Sequence, residues 1–431
     1  MRNFPAFAAT TLLPAIFVLG CQQQPSSVDH GLTVYDSAGV TIVESRSPFW
    51  DEKEAWRIEG EPFLSIGMAD DEVPDPLTHV QDAIRLEDGR ILLLTGGSDR
   101  SIRVFGPSGR HLEKWGRSGE GPGEFGLPPR SLHRDPSRGI VVPEAMARRV
   151  NRFDLHGTFQ GRVTVRYDGE VPRPDRVQAS ACCELREVLS NGDWLVAFPD
   201  HAHLGGTGAR RGEQALVRFT SSGERIGEFA RLPGRLWRPA DREDFGPLAY
   251  VPFTGYLATT VVGEEVFIGN GAAYRVDVFD PTGRPIRSLR LDREPPAFRM
   301  ELRQAFVESA RAVLERSMDE RETSRRMTAV ERRLPTRLAA YSDMLADPDG
   351  HLWLISPAVP GANDHRRTAT VVDREGRFLG DVLLPPGLRP LQVGSDWILG
   401  AVEDGFGESE VVLHRLRKRG SPLRPAQPPP G

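Results

Sequence analysis

The sequence predicts an all-β fold in which six small antiparallel sheets form a closed ring. Two observations carry this prediction. A hairpin phrase, in which an apolar strand, a Gly-containing turn and a second apolar strand follow one another, occurs six times along the chain. A second turn phrase, of the type Val-Phe-Asp-x-x-Gly, follows five of the six hairpins. Repeats of this kind predict an architecture because each copy forms the same unit and neighbouring copies pack together.

The hairpins are predicted from turn residues that reach positive φ at low cost. Asp-Gly and Asn-Gly between short apolar runs are the strongest local hairpin signals. They occur here as Asp88-Gly89, Asn191-Gly192 and Asp349-Gly350, and Gly139, Gly263 and Gly394 stand in the other three turns. The strands predicted after the turns are 91–94, 140–142, 194–198, 266–268, 352–355 and 397–401. Each hairpin supplies the two inner strands of one sheet.

The second phrase joins the third and fourth strands of a sheet. Its copies lie at 104–109, 152–157, 217–223, 278–283 and 371–376. The sixth hairpin is followed only by the apolar stretch 410–416, so the last sheet lacks one strand. Residues 32–43 carry the same turn phrase, and we expect this N-terminal stretch to supply the missing strand. Closure by the N-terminus would remove the sheet edges that an open array leaves exposed.

Residues 292–340 interrupt the repeat and predict a helical insertion between two sheets. Apolar residues recur at helical spacing in two sets: Leu302, Phe306, Ala310 and Val313, then Met327, Val330, Leu334, Leu338 and Tyr341. Two helices are therefore expected. An amphipathic stripe needs only a surface to cover, so the insertion is either a surface ornament or a lid or partner-binding arm over the channel.

The ends of the chain predict its location. Residues 1–21 have a basic start and a short apolar stretch, and Gly20-Cys21 resembles the lipobox of bacterial lipoproteins, which implies a lipid on Cys21. The alternative is an ordinary secretory signal in which the cysteine occurs by chance. Residues 22–31 are expected to form a flexible tether. With Gln22 after the cysteine, the resemblance implies the outer membrane where the cell has one. Residues 418–431 are expected to be a disordered Pro-rich tail.

The hairpins, the second turn phrase and the loop 116–125 are together similar to six-bladed β-propellers of the NHL-repeat-like kind found on bacterial lipoproteins. The resemblance covers residues 32–417, apart from the insertion. It implies a propeller fold and an extracytoplasmic location. Members of that family include ligand binders, protein-interaction platforms and a few metal-dependent hydrolases and lyases. The fold alone does not choose among these activities.

In a propeller, the starts of the inner strands face a central channel. The candidate channel and ligand-binding residues predicted on this basis are Asp82, Arg130, Arg186, Glu187 and Asp343. Their mixed charges could serve a polar ligand, or they could pair with one another around water. No metal ligands, catalytic residues or cofactor are predicted, because no His-Glu-x-x-His or Gly-x-Ser-x-Gly motif is present.

Cys182 and Cys183 are adjacent, and they are the only cysteines besides Cys21. In an oxidising compartment such a pair can close a vicinal disulfide, which requires a turn at that position. The alternative is two reduced, buried residues. The pair lacks the Cys-x-x-Cys spacing typical of zinc sites.

The net charge of −5 and the absence of a basic stripe argue against a nucleic-acid partner. The leading hypothesis is a monomeric, lipid-anchored propeller that binds a protein or small-molecule partner and has no chemistry of its own. The alternative is a metal-assisted hydrolase or lyase, with Asp82 and Asp343 in the central channel. A third possibility is a purely structural component of the cell envelope.

Overall fold

The computed structural model confirms the all-β prediction. It describes residues 31–51, 53–67, 77, 79–136, 139–144, 149–166, 183–198, 208–239, 248–362, 366–403 and 408–418. The predicted signal peptide with Cys21, the tether up to residue 30, Cys182 and residues 419–431 lie outside this range. In the part of the chain that the structure describes, no helix has both the length and the apolar character needed to cross a bilayer.

Four short strands precede the sheets: β1 (Leu32–Ser37), β2 (Val40–Ser45), β3 (Arg57–Ile58) and β4 (Leu64–Ile66). The first sheet contains β5 (Val80–Arg85), β6 (Ile91–Thr95), β7 (Ser101–Phe105) and β8 (His111–Trp115). The second contains β9 (His133–Asp135), β10 (Gly139–Pro143), β11 (Arg149–Phe153) and β12 (Phe159–Thr164). The third contains β13 (Glu184–Val188), β14 (Trp194–Phe198), β15 (Arg210–Phe219), β16 (Arg225–Pro239) and β17 (Leu248–Tyr250).

The fourth sheet contains β18 (Ala258–Val262), β19 (Glu265–Gly269), β20 (Arg275–Phe279) and β21 (Pro285–Leu291). Two helices follow it, α1 (Met300–Glu315) and α2 (Glu320–Arg333). The fifth sheet contains β22 (Asp343–Ala346), β23 (Leu352–Ile355), β24 (Thr368–Val372) and β25 (Phe378–Leu383). The sixth contains β26 (Arg389–Val393), β27 (Trp397–Glu403) and β28 (Ser409–Arg417). Within each sheet, consecutive strands pair antiparallel.

The N-terminal strands correct one prediction. Residues 32–43 do not complete the sixth sheet, because β2 pairs in parallel with β21 of the fourth sheet and β1 pairs with β2. Both β4 and β3 pair antiparallel with β28, β4 along residues 411–413 and β3 at Leu416 and Arg417. An alternating apolar strand can pair with the free edge of many sheets, so its sequence does not specify which one. In the structure β2 pairs with β21, and Val43 is buried in one apolar cluster with Leu289. The three residues of β4 are too short to show a strand pattern.

The strands that begin the sheets pack against one another, so they form the inside of the arrangement. β13 contacts both β9 and β18, β22 contacts both β18 and β26, and β26 contacts β5. Apolar clusters fill the spaces between neighbouring sheets; one of them combines Leu92 of the first sheet with Phe153 of the second. We call the side where these inner strands begin the mouth face, and the opposite side, which carries the Gly turns, the turn face.

The helices lie within the predicted insertion, on the mouth face. Leu302 of α1 is buried in a cluster with Phe298 and Val359, and Phe253 packs against that cluster. The second helix is shorter than the apolar spacing predicts. It ends at Arg333 and does not reach Leu338, because Pro335 has no N–H to donate and disfavours helical geometry in the residue before it.

Candidate functional site

Charged side chains from the inner strands converge at the mouth face. Each of them either affects the pKa of another member of the group or has its own pKa affected by one, which places each within electrostatic reach of at least one other member. We call this group the mouth cluster; its members are Asp82, His133, Glu184, Arg186, Glu187, Asp343, Arg367 and Arg389. Four of the five residues predicted from the sequence are therefore brought together: Asp82, Arg186, Glu187 and Asp343.

The three arginines of the mouth cluster join neighbouring sheets. Each guanidinium donates to a backbone carbonyl at the start of the next sheet. The bonds are Arg186 Nη2 to Leu257 O (3.1 Å), Arg367 Nη1 to Leu388 O (2.9 Å) and Arg389 Nη2 to Val80 O (2.6 Å). Because the donor is charged, each of these bonds is stronger than a bond between neutral groups. The arginines thus hold the shape of the mouth.

Asp82 joins the first sheet to the second. Its Oδ2 accepts the backbone N–H of Leu132 and its Oδ1 that of Ala83, both at 2.8 Å. Burial nevertheless raises the pKa of Asp82 to about 6, and the nearby Asp343 carboxylate acts in the same direction. Burial disfavours the charged form of a carboxyl group. Asp82 therefore takes up a proton at a pH well above the ordinary range for aspartate.

Glu187 makes the corresponding contact between the third and fourth sheets. Thr259 Oγ1 donates to Glu187 Oε1 at 2.6 Å. Burial raises the pKa of Glu187 to about 7, although the Thr259 hydroxyl and the Arg186 guanidinium oppose the rise. The mouth cluster therefore contains two carboxyl groups that titrate close to neutral pH.

His133 contributes a neutral polar group to the cluster. Its Nε2 lies 2.8 Å from the Ser131 hydroxyl. Burial, assisted by the positive charge of Arg186, lowers the pKa of His133 to about 3. The imidazole therefore remains uncharged over the physiological pH range.

The Asp343 carboxylate affects the pKa values of four other members of the cluster. Within the described part of the chain, the one hydrogen bond of its carboxylate is to the N–H of Met344, at 2.9 Å. Burial raises the pKa of Asp343, while Arg186 and Arg389 oppose the rise. The side chain is nonetheless exposed to water, so it is closely surrounded by protein and still faces an open space. A carboxylate in this position can accept a hydrogen bond from a ligand.

The structure does not bring Arg130 into the mouth cluster. Its side chain is exposed, and its backbone N–H donates to Pro143 O at 3.0 Å. The inner strand begins at His133, two residues later than the start at Ser131 that the sequence predicts, and His133 joins the cluster instead of Arg130. Arg389 could have been found by extending the sixth inner strand backwards by two residues. Arg367 precedes the third strand of its sheet, and the repeat gives no signal for it.

A second group of titratable residues lies on the turn face. Ligand atoms of Asp347, Asp349 and His351 are within 4.8 Å of one another, a spacing that could hold a metal ion. However, Lys418 Nζ lies 2.7 Å from an oxygen of each aspartate, so an ammonium group already neutralises them. Trp353 Nε1 donates to Asp347 as well, at 3.3 Å. The donor set therefore fits a buried ion pair better than a metal site.

Cys183 is buried among apolar side chains of the second and third sheets, which include Val141 and Trp194. Its neighbour Cys182 lies outside the described residues. The vicinal disulfide therefore stays a prediction.

No protein-family model matches the sequence, and no curated protein matches it. Among solved structures, a candidate exported protein from Bacteroides fragilis NCTC 9343 is 12% identical, with a TM-score of 0.47 over 88% of this chain and 99% of that chain. A member of the DUF4221 family from Bacteroides vulgatus ATCC 8482 is 10% identical, with a TM-score of 0.49 over 85% and 99% of the two chains. Virginiamycin B lyase from Staphylococcus aureus is 11% identical, with a TM-score of 0.39 over 84% and 99%. These similarities are too low to support an argument about this chain, and the fold described above rests on its own sheets.

Proposed function

We propose that this chain is an extracytoplasmic, lipid-anchored six-bladed β-propeller that binds a polar partner at the mouth cluster. The single observation that carries the binding site is the convergence of ionisable side chains from five inner strands around the water-facing carboxylate of Asp343. Ionisable groups held in environments that disfavour their charge are typical of functional sites, although structural ion pairs also show such shifts.

The closed ring is supported by contacts between the sixth sheet and the start of the chain. Arg389 Nη2 donates to Val80 O of the first sheet, and Gln392 Oε1 accepts the N–H of Arg85 at 2.6 Å. The pairing of β4 with β28 adds a fourth strand to the sixth sheet from the N-terminal side. In this proposal the ring is closed by β4 rather than by residues 32–43.

The ligand that this mouth fits is a small molecule or side chain with an amine or guanidine group. The arginines of the cluster are occupied by backbone carbonyls, whereas Asp343 faces water with a single hydrogen bond. A cation placed beside Asp343 would favour the ionised carboxylate, whose charge burial now disfavours. A carboxylate that a ligand covers loses its contact with water, and a cationic group on the ligand compensates for that loss.

The binding proposal is tested by a calorimetric screen of purified protein against spermidine, agmatine and L-arginine. We expect at least one of them to bind the wild type and Asp349→Asn equally, and Asp343→Asn at least tenfold more weakly. Asp349 is the matched control because it is also a carboxylate, but on the turn face. If none of the three compounds binds, or if Asp343→Asn binds them as the wild type does, the proposal is wrong.

Metal analysis of the same purified protein distinguishes the binding proposal from the alternative of a metal-assisted hydrolase or lyase. The Asp343 carboxylate contributes to the raised pKa of Asp82, so the two acids are within electrostatic reach of each other. A stoichiometric divalent ion that is lost in Asp343→Asn would replace the binding proposal with the metal-dependent one.

The lipid anchor is tested by Cys21→Ser. We expect the variant to leave the membrane fraction while the wild type remains there after a high-salt wash. A variant that stays with the membrane would show that Cys21 does not anchor the chain.

A further inference from the structure

Among the strands that the structure describes, two strands of the third sheet continue well beyond the rest of their sheet. β15 and β16 continue past the level of Phe198, where β14 ends, with Arg211 opposite Leu236 and Arg210 opposite Trp237. β17 then pairs with the end of β16. We call residues 210–214, 232–239 and 248–250 the β-arm. Its length beyond the sheet is about 16 Å, at roughly 3.3 Å for each strand residue.

The β-arm extends on the mouth face. β14 runs away from its Gly turn and ends at Phe198, so the residues of β15 that precede Ala215 lie beyond the sheet on the side opposite the turns. The base of the β-arm adjoins the mouth cluster. Gln214 Nε2 donates to the Tyr256 hydroxyl at 2.8 Å, and Tyr256 is within electrostatic reach of Arg186.

The outer part of the β-arm combines arginines with an exposed tyrosine and a half-buried tryptophan. Tyr250 is 47% exposed, and the Trp237 ring packs edge-on against it with the centroids 6.4 Å apart. Arg235 is exposed, and its guanidinium lies between the two tyrosines, 4.2 Å from the ring centroid of Tyr256 and 5.8 Å from that of Tyr250. Arg210 lies opposite Trp237 on the paired strand and Arg238 follows Trp237 on its own strand, and both arginines also have partners within the protein. Trp and Tyr side chains favour the interface between bilayer and water, and arginines are attracted to anionic headgroups there.

The place where β1 starts also favours a membrane on the side of the mouth face. Gly31 O accepts the N–H of Arg46, and Ser45 is opposite Leu291 at the mouth end of the fourth sheet. β1 therefore starts on the mouth face. Residues 22–30, fully extended, span at most about 30 Å. If Cys21 carries a lipid, the mouth face lies within that distance of the membrane.

We propose that the β-arm docks the mouth face on an anionic phospholipid surface, through Arg235, Trp237 and Tyr250 together with the flanking arginines. The orientation argument rests on the proposed lipid anchor, whereas the composition of the β-arm does not. Docking in this way turns the mouth cluster toward the membrane. Its ligand is then a molecule that the membrane carries or that diffuses along its surface.

The test uses the full lipidated protein on vesicles that contain phosphatidylglycerol, with a brominated lipid as quencher of tryptophan fluorescence. We expect quenching in the wild type that is largely lost in Trp237→Phe, because the other tryptophans remain away from the bilayer. Arg235→Gln should reduce the vesicle affinity of protein released from its lipid by about fivefold, since each basic residue near an anionic surface contributes a factor of that size. Arg110→Gln, an exposed arginine at a turn-face loop, is the matched control and should leave the affinity unchanged.

Each outcome separates the two proposals. Protein that leaves the vesicles in high salt contradicts the lipid anchor, and the released protein then tests the β-arm alone. Protein that stays but shows the same quenching in Trp237→Phe overturns the β-arm proposal. For protein released from its lipid, binding that is equal on vesicles made only of phosphatidylcholine overturns the β-arm proposal also, because the arginines would then contribute nothing.

Discussion

The carboxylates of the turns and those of the mouth cluster occupy opposite environments. At the turn of the second sheet, Asp154 Oδ1 accepts the N–H of Thr158 at 2.9 Å, and that bond is the largest cause of a lowered pKa for Asp154. In the mouth cluster, burial raises the pKa values of Asp82 to about 6 and of Glu187 to about 7. Asp373 is an exception among the turn acids, because its burial outweighs its hydrogen bonds and raises its pKa.

The difference separates two uses of the same side chain. A turn acid bonds to backbone N–H groups a few residues away and is stabilised as an anion, which favours the turn itself. A mouth acid is brought by the fold into a place where its charge is disfavoured. Such a placement costs stability, and proteins retain it where a ligand or a proton compensates for it. Mutations in the two places should therefore differ in size and in sign.

The largest effect is expected at Asp347, the most strongly paired acid of the turn face. Its side chain is fully buried, with Lys418 Nζ at 2.7 Å and His351 Nδ1 at 3.0 Å. Although burial opposes them, these bonds lower the pKa of Asp347 to about 2. Asp347→Ala leaves a buried ammonium without its buried partner, and we expect it to lower the free energy of unfolding by about 3 kcal/mol. Urea denaturation at pH 7 measures this loss.

Asp349→Ala is the matched control, because Asp349 contacts the same ammonium at 2.7 Å but is half exposed. It should lower the free energy of unfolding by less than about 1 kcal/mol. Equal losses in both variants would contradict the assignment of Asp347 as the buried partner. The contribution of Asp347 should also disappear as the pH falls from about 4 toward 2, because its folded pKa lies below the ordinary value.

The next largest effect is expected at a turn glycine that touches another sheet. Gly283 has φ +90°, and a Cβ there would lie 2.5 Å from Phe229 O of the third sheet. Gly283→Ala should therefore lower the free energy of unfolding by about 2 kcal/mol or more, from backbone strain and a clash together. Gly39 has φ +80° with open space around it, so Gly39→Ala isolates the strain at about 1 kcal/mol. Identical losses would mean that the contact between the sheets contributes nothing.

The two regions also differ in how far the sequence predicts them. The turn face follows from contiguous residues, because Asp-Gly and the Asp-x-x-Gly phrase fix a turn locally, as in Asp349-Gly350 and Gly283. The mouth cluster is assembled from strands far apart in the chain, and a small error in register replaces one residue by another. The sequence therefore predicts Arg130 where the structure has His133, whereas it places Asp82 and Asp343 correctly among the residues of the mouth.

Contacts that lie outside the repeated phrases could not be predicted from the sequence. Arg367 reaches Leu388 O from a loop, and no periodicity marks it. The choice of sheet edge for β2 depends on which packing buries Val43 best, which is a tertiary property. The β-arm is formed by pairing of residues 210–214 with β16, and the repeat predicts only a connecting loop before residue 217.

The smallest effect, and the one with the opposite sign, is expected for Glu187→Gln. Burial raises the pKa of Glu187 to about 7, so the folded state binds the proton more tightly than the unfolded chain, in which it titrates near 4.5. Stability therefore falls as the pH rises from about 4.5 through about 7, and above that range the folded protein carries the full cost of the buried charge.

Glutamine keeps an oxygen to accept the Thr259 hydroxyl and cannot ionise. At pH 8.5 the variant should be more stable than the wild type by about 1 kcal/mol, allowing for water at the mouth, and at pH 4.5 the two should be equal. Urea denaturation at both pH values measures the difference, with Glu224→Gln at an exposed turn position as the control that should change neither. A Glu187→Gln variant that is less stable at pH 8.5 would show that the ionised carboxylate is a structural partner of Arg186, and the mouth cluster would then resemble the turns instead of differing from them.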